Sequence, residues 1–294
     1  MIQTLLGIAR HPLNQGRQLR ALARFAGWQI GTRLVGGPVA VPFAGSTRLL
    51  VNRGMTGATG NVYCGLHEFE DMAFVLHALR STDVFVDVGA NVGSYTVLAA
   101  GVAGSKCVSL EPAPRAFAGL QDNVRLNDLT ALVRCHNVAV GSENGTARFT
   151  RDLDAINHVL ASSEAGARTI EVPVRTLDSV LEGIAPTLIK VDVEGYEAAV
   201  IAGGKRTLHS PSLLAVLLEL NGSGRRYGFD EDALQDQMLA CGFTPARYNP
   251  STRTLEARPR RLAQAGNGLY VRGRDELQAR LSTAPAVKVH NLQV

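Results

Sequence analysis

A chain of 294 residues with 46% apolar content can bury one sizeable core, with room for a small appendage. No apolar run is long enough to span a bilayer, no secretory leader pattern opens the chain, and Cys64, Cys107, Cys135 and Cys241 form no C-x-x-C pair, so a reduced, cytoplasmic protein without structural zinc is expected. The net charge is only +4, but residues 1–67 carry seven arginines and no Asp or Glu, leaving −3 (4 − 7) for the rest.

Residues 1–35 read as helical. From Arg17 to Arg33 an apolar stripe of Leu19, Leu22, Ala23, Ala26 and Ile30 runs beside Arg17, Arg20 and Arg24. The preferred expectation is that this stripe packs on the main domain or on a second copy of the chain. A peripheral contact with an anionic membrane is the alternative. Nucleic acid is not expected as a partner, because the basic residues lack interleaved aromatics or a known motif. Residues 38–65 hold short β-type runs, Val39–Val41 and Arg48–Val51, punctuated by Gly and Pro. Residues 1–65 therefore form a basic helical and hairpin extension, and 66–294 the main domain. A helix follows from Glu68 to Arg80, with Phe69, Met72, Ala73, Leu76 and Leu79 on one face.

Strand 84–88, helix 94–103, strand 106–110, helix 115–127 and strand 133–138 come next. This alternation predicts an α/β fold whose mostly parallel sheet has helices on both faces. The first strand ends in Asp87, followed by the turn Val88-Gly89-Ala90-Asn91-Val92-Gly93-Ser94. Gly89 and Gly93 permit close ligand approach, but a dinucleotide site would need G-x-G-x-x-G, which is absent. The second strand ends in Glu111, 24 positions after Asp87 (111 − 87). A carboxylate there can accept both hydroxyls of a ribose. Helix capping is the plainer role for either acid. Together they point to a nucleoside cofactor bearing a positive group rather than a pyrophosphate.

Between 139 and 186 the rhythm changes. Thr146–Thr150 and Thr169–Val174 are strand-like, and the polar stretch Asp154–Arg168 reads as a loop that lids the substrate. Strand Leu188–Asp192, helix 197–208, strand Leu213–Leu218 and helix 231–241 restore the alternation, and Thr244–Tyr248 with Gly268–Val271 form an antiparallel edge. Lys190-Val191-Asp192-Val193-Glu194-Gly195-Tyr196-Glu197 places three acids at a strand's C-terminal end, where open α/β sheets hold their ligands. Asp192 and Glu194 are candidate general bases, with His67 and His158 behind them. Glu197 reads as a helix-start acid and Tyr196 as packing. Asp192, Glu194 and Glu219 could also hold a divalent cation, a lesser candidate because no histidine or Asp-Asp pair completes the set.

The segments Asp87–Tyr95, Glu111-Pro112, Asn123 and Asn127, Asn137–Gly141, Ile189–Glu197, Gly203-Gly204 and Leu218-Glu219-Leu220 resemble the FkbM family of S-adenosylmethionine-dependent methyltransferases. The likeness spans roughly residues 66 to 222. It implies a class I methyltransferase (Rossmann-like) sheet and O-methylation of sugar, glycolipid or secondary-metabolite hydroxyls. It further implies that Asp87, Gly89, Asn91 and Gly93, with Ser94 beside them, surround the methionine part of S-adenosyl-L-methionine. Glu111 would hold the ribose hydroxyls, Asn137 and Val138 would flank the adenine, and Glu68 and Asp192 would touch the cofactor. The competing expectations are an NAD-type oxidoreductase or epimerase, and a degenerate methyltransferase fold serving as a binding or assembly subunit.

Overall fold

The computed structural model describes residues 2–150, 158–160, 168–258 and 266–294. Eight strands build its main sheet, labelled in chain order: β1 (Val84–Val88), β2 (Lys106–Leu110), β3 (Val133–His136), β4 (Leu188–Val191), β5 (Ala215–Leu220), β6 (Thr244–Asn249), β7 (Thr254–Ala257) and β8 (Gly266–Val271). Their spatial order is β7-β6-β8-β5-β4-β1-β2-β3. The five strands from β3 to β5 run parallel, and β8 is antiparallel to both β5 and β6. The β2-β3 and β4-β5 halves wind outward from β1 in opposite directions. The switch point therefore falls between β1 and β4, where a crevice opens at their carboxyl ends.

Alternate residues of each strand feed opposite faces, as a period of two requires. Phe85, Cys107, Leu188 and Leu217 join Phe74, Leu98, Leu120 and Leu277 in one core. Val86, Val108, Ile189 and Val216 join Val200, Leu208, Leu234 and Met238 in the other. Helices Phe69–Ala78, Ser94–Gly101 and Arg274–Ser282 cover the first face, and Glu197–Ala202, Lys205–Leu208 and Glu231–Ala240 the second. A small three-stranded sheet of Ala139–Val140, Gly145–Thr150 and Thr169–Arg175 stands beside the crevice.

The first 65 residues form helices Ile2–Arg10 and Gln18–Leu34, the antiparallel hairpin Val39–Pro42 with Arg48–Val51, and helix Thr56–Cys64. Ile8, Trp28 and Leu49 share the core that holds Phe74 and Leu98. The structure corrects the expected orientation of the second helix. Its buried residues are Ala21 and Trp28, whereas Leu19 is 84% and Ile30 62% exposed. The packed side is fixed by specific pairing. Arg24 Nη2 donates to the Tyr63 carbonyl at 2.7 Å, and the Phe25 and Tyr63 rings meet edge to face at 5.1 Å.

Three other expectations change. Helix 197–208 breaks at Gly203-Gly204, where the backbone comes so close to Gly141 that a Cβ on Gly203 would lie 2.1 Å from the Gly141 carbonyl oxygen. Helix Thr56–Cys64 was hidden in a Gly- and Thr-rich run that looked like hairpin loop. Thr244–Asn249 and Gly266–Val271 pair antiparallel as expected, but Gly266–Val271 lies inside the sheet, and the edge is the hairpin of β6 with the unforeseen β7. The lid expected at 154–168 lies outside the described residues, apart from 158–160 and 168. No helix among the described residues is long and apolar enough to cross a membrane.

The packing predicts a sharp contrast between the two sides of helix Gln18–Leu34. Trp28→Ala should cost about 3–5 kcal/mol of stability, and Leu19→Ser no more than about 0.5 kcal/mol. Urea unfolding midpoints measure both, and equal losses would contradict the orientation described.

Candidate active site

A cavity of about 340 Å³ opens at the carboxyl ends of β1, β2, β4 and β5. Thr56, Gly57, Ala58 and Asn61 of helix Thr56–Cys64 wall one side, and Phe149, Val159 and Tyr196 another. Between them lie the turn after β1 and the turn after β4, which are pressed together. The Asp192 amide donates to the Val88 carbonyl at 3.0 Å. Gly89 has a φ of 80°, and a Cβ on it would sit 1.8 Å from the Asp192 carbonyl oxygen, so only glycine fits.

Among the described lining residues, Glu68, Asp87, Glu111, Asp192, Glu194 and Glu219 are acids, and Lys190 is the lone lysine or arginine. Lys190 is buried, donates from Nζ to Asp192 Oδ2 at 2.7 Å, and lies 4.9 Å above the centre of the Tyr95 ring. Burial alone would lower its pKa, but Asp192, Asp87 and Glu68 outweigh that and raise it. Burial likewise pushes Asp192 up, and Lys190 overrides it and holds the carboxylate below its usual value. Tyr95 donates its hydroxyl to Glu68 Oε2 at 2.8 Å, while Asn267 Nδ2 ties Glu68 to Asp71.

Asp87 is 1% exposed and pairs in register with Lys190. The Thr96 hydroxyl donates to its Oδ2 at 2.7 Å, while its Oδ1 has no partner among the described residues. Burial raises the Asp87 pKa. Glu111 accepts the Asn91 amide on Oε2 at 2.9 Å and the Ala113 amide on Oε1 at 2.8 Å. Each oxygen keeps a second lone pair for a ligand. Burial still pushes Glu111 up to about 7. Burial and then Asp192 push Glu219 up to about 10, so it keeps its proton at neutral pH and shares it with Asp192.

Glu194 carries a φ of 56° in the turn after β4, a conformation that costs a non-glycine residue free energy. Glu197 holds that turn in place, with Oε1 accepting the amides of Val193 at 3.0 Å and Gly195 at 3.1 Å. Burial, then Asp192, raises the Glu194 pKa against the opposing charges of Arg226 and His158. Oxygens of Asp192, Glu194 and Glu219 lie within 4.8 Å of one another. Lys190 Nζ already occupies Asp192 Oδ2, so a dication there would have to displace it.

The family model of the methyltransferase FkbM domain matches residues 87–245, more than half of the chain. The chain belongs to the FkbM methyltransferase family. It is 27% identical over 170 residues to methyltransferase sdnD of Sordaria araneosa, an alignment covering 46% of this chain. The chain spans 65% of the length of that curated relative. Among solved structures it is similar to precorrin-6y C5,15-methyltransferase from Geobacter metallireducens, at 10% identity and a TM-score of 0.41, over 76% of this chain and 93% of that one. It is also similar to an rRNA methylase from Streptococcus thermophilus, at 13% identity and a TM-score of 0.39, over 68% and 91%. At such scores the fold rests on the strand order itself.

Of the residues singled out in this FkbM sequence, Glu68, Asp87, Gly89, Asn91, Ser94, Glu111, Val138, Asp192 and Glu194 line the cavity together. Gly93 does not; it starts helix Ser94–Gly101 at a φ of 88°, packed against Leu120. Asn137 does not either. Its Nδ2 donates to the carbonyls of Glu111 at 2.8 Å and Pro112 at 3.0 Å, bracing the end of β2. His158 is buried behind the wall, its amide donating to Thr150 Oγ1 at 2.8 Å, while its neighbour Val159 faces the cavity. His67 lines the cavity.

Lys190, Tyr95, Asn61 and Asn267 were not foreseen as site residues. Lys190 was legible, since it stands two positions before Asp192 on one strand and so shares its face. Asn61 and Asn267 come from distant segments and carried no local signal.

The raised pKa of Glu111 sets a pH dependence. An unfolded glutamate loses its proton near 4.5, whereas folded Glu111 keeps it to about 7. Between those values the folded state binds more protons, so this group's contribution to stability falls as pH rises. The stability of the ligand-free protein relative to Glu111→Gln should drop by roughly 3 kcal/mol from about pH 4.5 to about pH 7. Paired urea titrations measure it, and a flat difference would overturn the assigned burial.

Proposed function

We propose that this FkbM methyltransferase transfers the methyl group of S-adenosylmethionine to a hydroxyl oxygen of a sugar, glycolipid or secondary metabolite. The residues present suit that cofactor. Its sulfonium and ammonium are cations, and six carboxylates around one lysine give the cavity an excess of negative charge. Asp87 offers a buried oxygen with no partner among the described residues, and Gly89 lets the turn after β1 pack against the turn after β4 beside it. Glu111, fixed by two backbone amides, keeps lone pairs for ribose hydroxyls. When bound, the cofactor supplies an electrophilic methyl group.

The observation that carries the choice of a hydroxyl acceptor is Glu194. Asp192 is neutralised by Lys190 and a shared proton, whereas Glu194 faces the same cavity with a raised pKa and a backbone held by Glu197. A carboxylate of that kind is matched to removing a hydroxyl proton as the oxygen attacks. Holding the acceptor against a fixed partner supplies further acceleration, and Phe149, Val159 and Tyr196 keep water from that side. All four cysteines are free, which suits action in a reducing cytoplasm.

Transfer of labelled methyl from S-adenosylmethionine to a panel of glycosides, glycolipids and polyketide alcohols tests the reading. Glu194→Gln should lower kcat by about 10²–10⁴-fold. Calorimetric affinity for S-adenosylhomocysteine should change by no more than about threefold, roughly the effect of a surface substitution. Wild-type turnover by the variant would remove Glu194 as the base, and transfer only to amines or carbon would overturn the hydroxyl acceptor.

A further inference from the structure

The large hydrophobic residues left exposed among the described residues are Ile2, Leu6, Leu19, Ile30, Leu34 and Val35, all within the first 35 positions. On helix Gln18–Leu34 they follow a single line. Leu19, Ala23, Ala26, Ile30 and Leu34, spaced by four, three, four and four residues, all face outward. This is largely the stripe that the sequence marks as apolar, and the fold leaves it open. The opposite side of the helix already carries the packing, through Ala21, Trp28 and the pairing of Arg24 and Phe25 with Tyr63. On helix Ile2–Arg10, Ile2 and Leu6 lie one turn apart and are also exposed.

The charge along these two helices is of one sign. Arg10, Arg17, Arg20 and Arg33 are exposed, and residues 1–67 contain no Asp or Glu. A second copy joined through the same face would set the arginines of these helices against each other, with no acid in residues 1–67 to offset them. An anionic bilayer offers the complement on both counts, with phosphates for the arginines and an acyl boundary for the leucines and isoleucines. At 17 residues the helix is about 25 Å long, enough to lie along the interface.

We infer that helices Ile2–Arg10 and Gln18–Leu34 form a docking surface for an anionic lipid bilayer. The surface sits one helix from the cavity. Helix Gln18–Leu34 packs on Thr56–Cys64, whose Asn61 lines the cavity and donates from Nδ2 to Ser94 Oγ at 3.2 Å. Docking therefore holds the cavity close to the lipid surface. The inference stands on exposure and charge alone, and is independent of the acceptor proposed above.

Co-sedimentation of the full chain with vesicles tests it, using phosphatidylcholine alone and phosphatidylcholine mixed in equal parts with phosphatidylglycerol. Binding to the mixed vesicles, weakened by salt, is expected, with little binding to the neutral ones. Arg20→Gln and Arg33→Gln should each weaken partitioning by about fivefold. The double variant Leu19→Glu/Ile30→Glu should abolish it at an unchanged Tm, since both positions are exposed. Failure of the wild type to sediment with the anionic vesicles overturns the inference, as does full binding by the double variant. A dimer in sedimentation equilibrium that the double variant breaks, without vesicle binding, assigns the face to a second copy instead.

Discussion

Lys190 can neutralise about one carboxylate, and six stand around it. Its 2.7 Å bond to Asp192 settles which one stays ionised at lowest cost. The remaining acids share the same cavity, where a buried, uncompensated charge is expensive. Four of them respond as that cost requires. Glu219 keeps its proton, Glu111 rises to about 7, and Asp87 and Glu194 are pushed upward. The ligand-free cavity is therefore short of positive charge. A sulfonium nucleoside with an ammonium group relieves that shortage, whereas a pyrophosphate would add to the repulsion.

The same arrangement depends on two loops being in contact. The turns after β1 and β4 meet at Gly89 and the Asp192 carbonyl, bringing the D-x-G motif and the K-x-D-x-E-G-x-E motif to one edge. Neighbouring register does the rest, with Asp87 beside Lys190 and Ser109. Across the cavity the wall comes from the basic N-terminal region, through helix Thr56–Cys64. That region shares the core beneath Phe74 and Leu98 and presents its outer stripe to solvent. Site and outer surface are thus joined by a single layer of helix.

Much of the fold was legible because its causes are local. The mostly apolar runs at 84–88, 106–110 and 188–191, separated by helical spacing, dictate parallel strands with crossover helices, and the structure has them. The acids at strand ends were legible too, since a carboxylate closing a mostly apolar run stands out. What misled was packing. The stripe of Leu19, Ala23, Ala26 and Ile30 has the pattern of a buried face, yet Phe25 and Arg24 pair with Tyr63 and Trp28 enters the core, which turns the stripe outward. Gly93 and Asn137 carried motif signals but serve the helix start and the brace of β2.

By itself, the sequence determined the alternating elements, the glycine turn, the acids at the strand ends and the membership of the FkbM family, because each is written in residues close together along the chain. Tertiary structure decided which acids share one lysine, that Asn61 and Asn267 reach the site, and which side of the second helix faces water. Those outcomes depend on contacts between segments up to about two hundred positions apart, such as Asn267 with Glu68. Side-chain periodicity cannot rank such contacts, because it records that a face is apolar and not what stands opposite it.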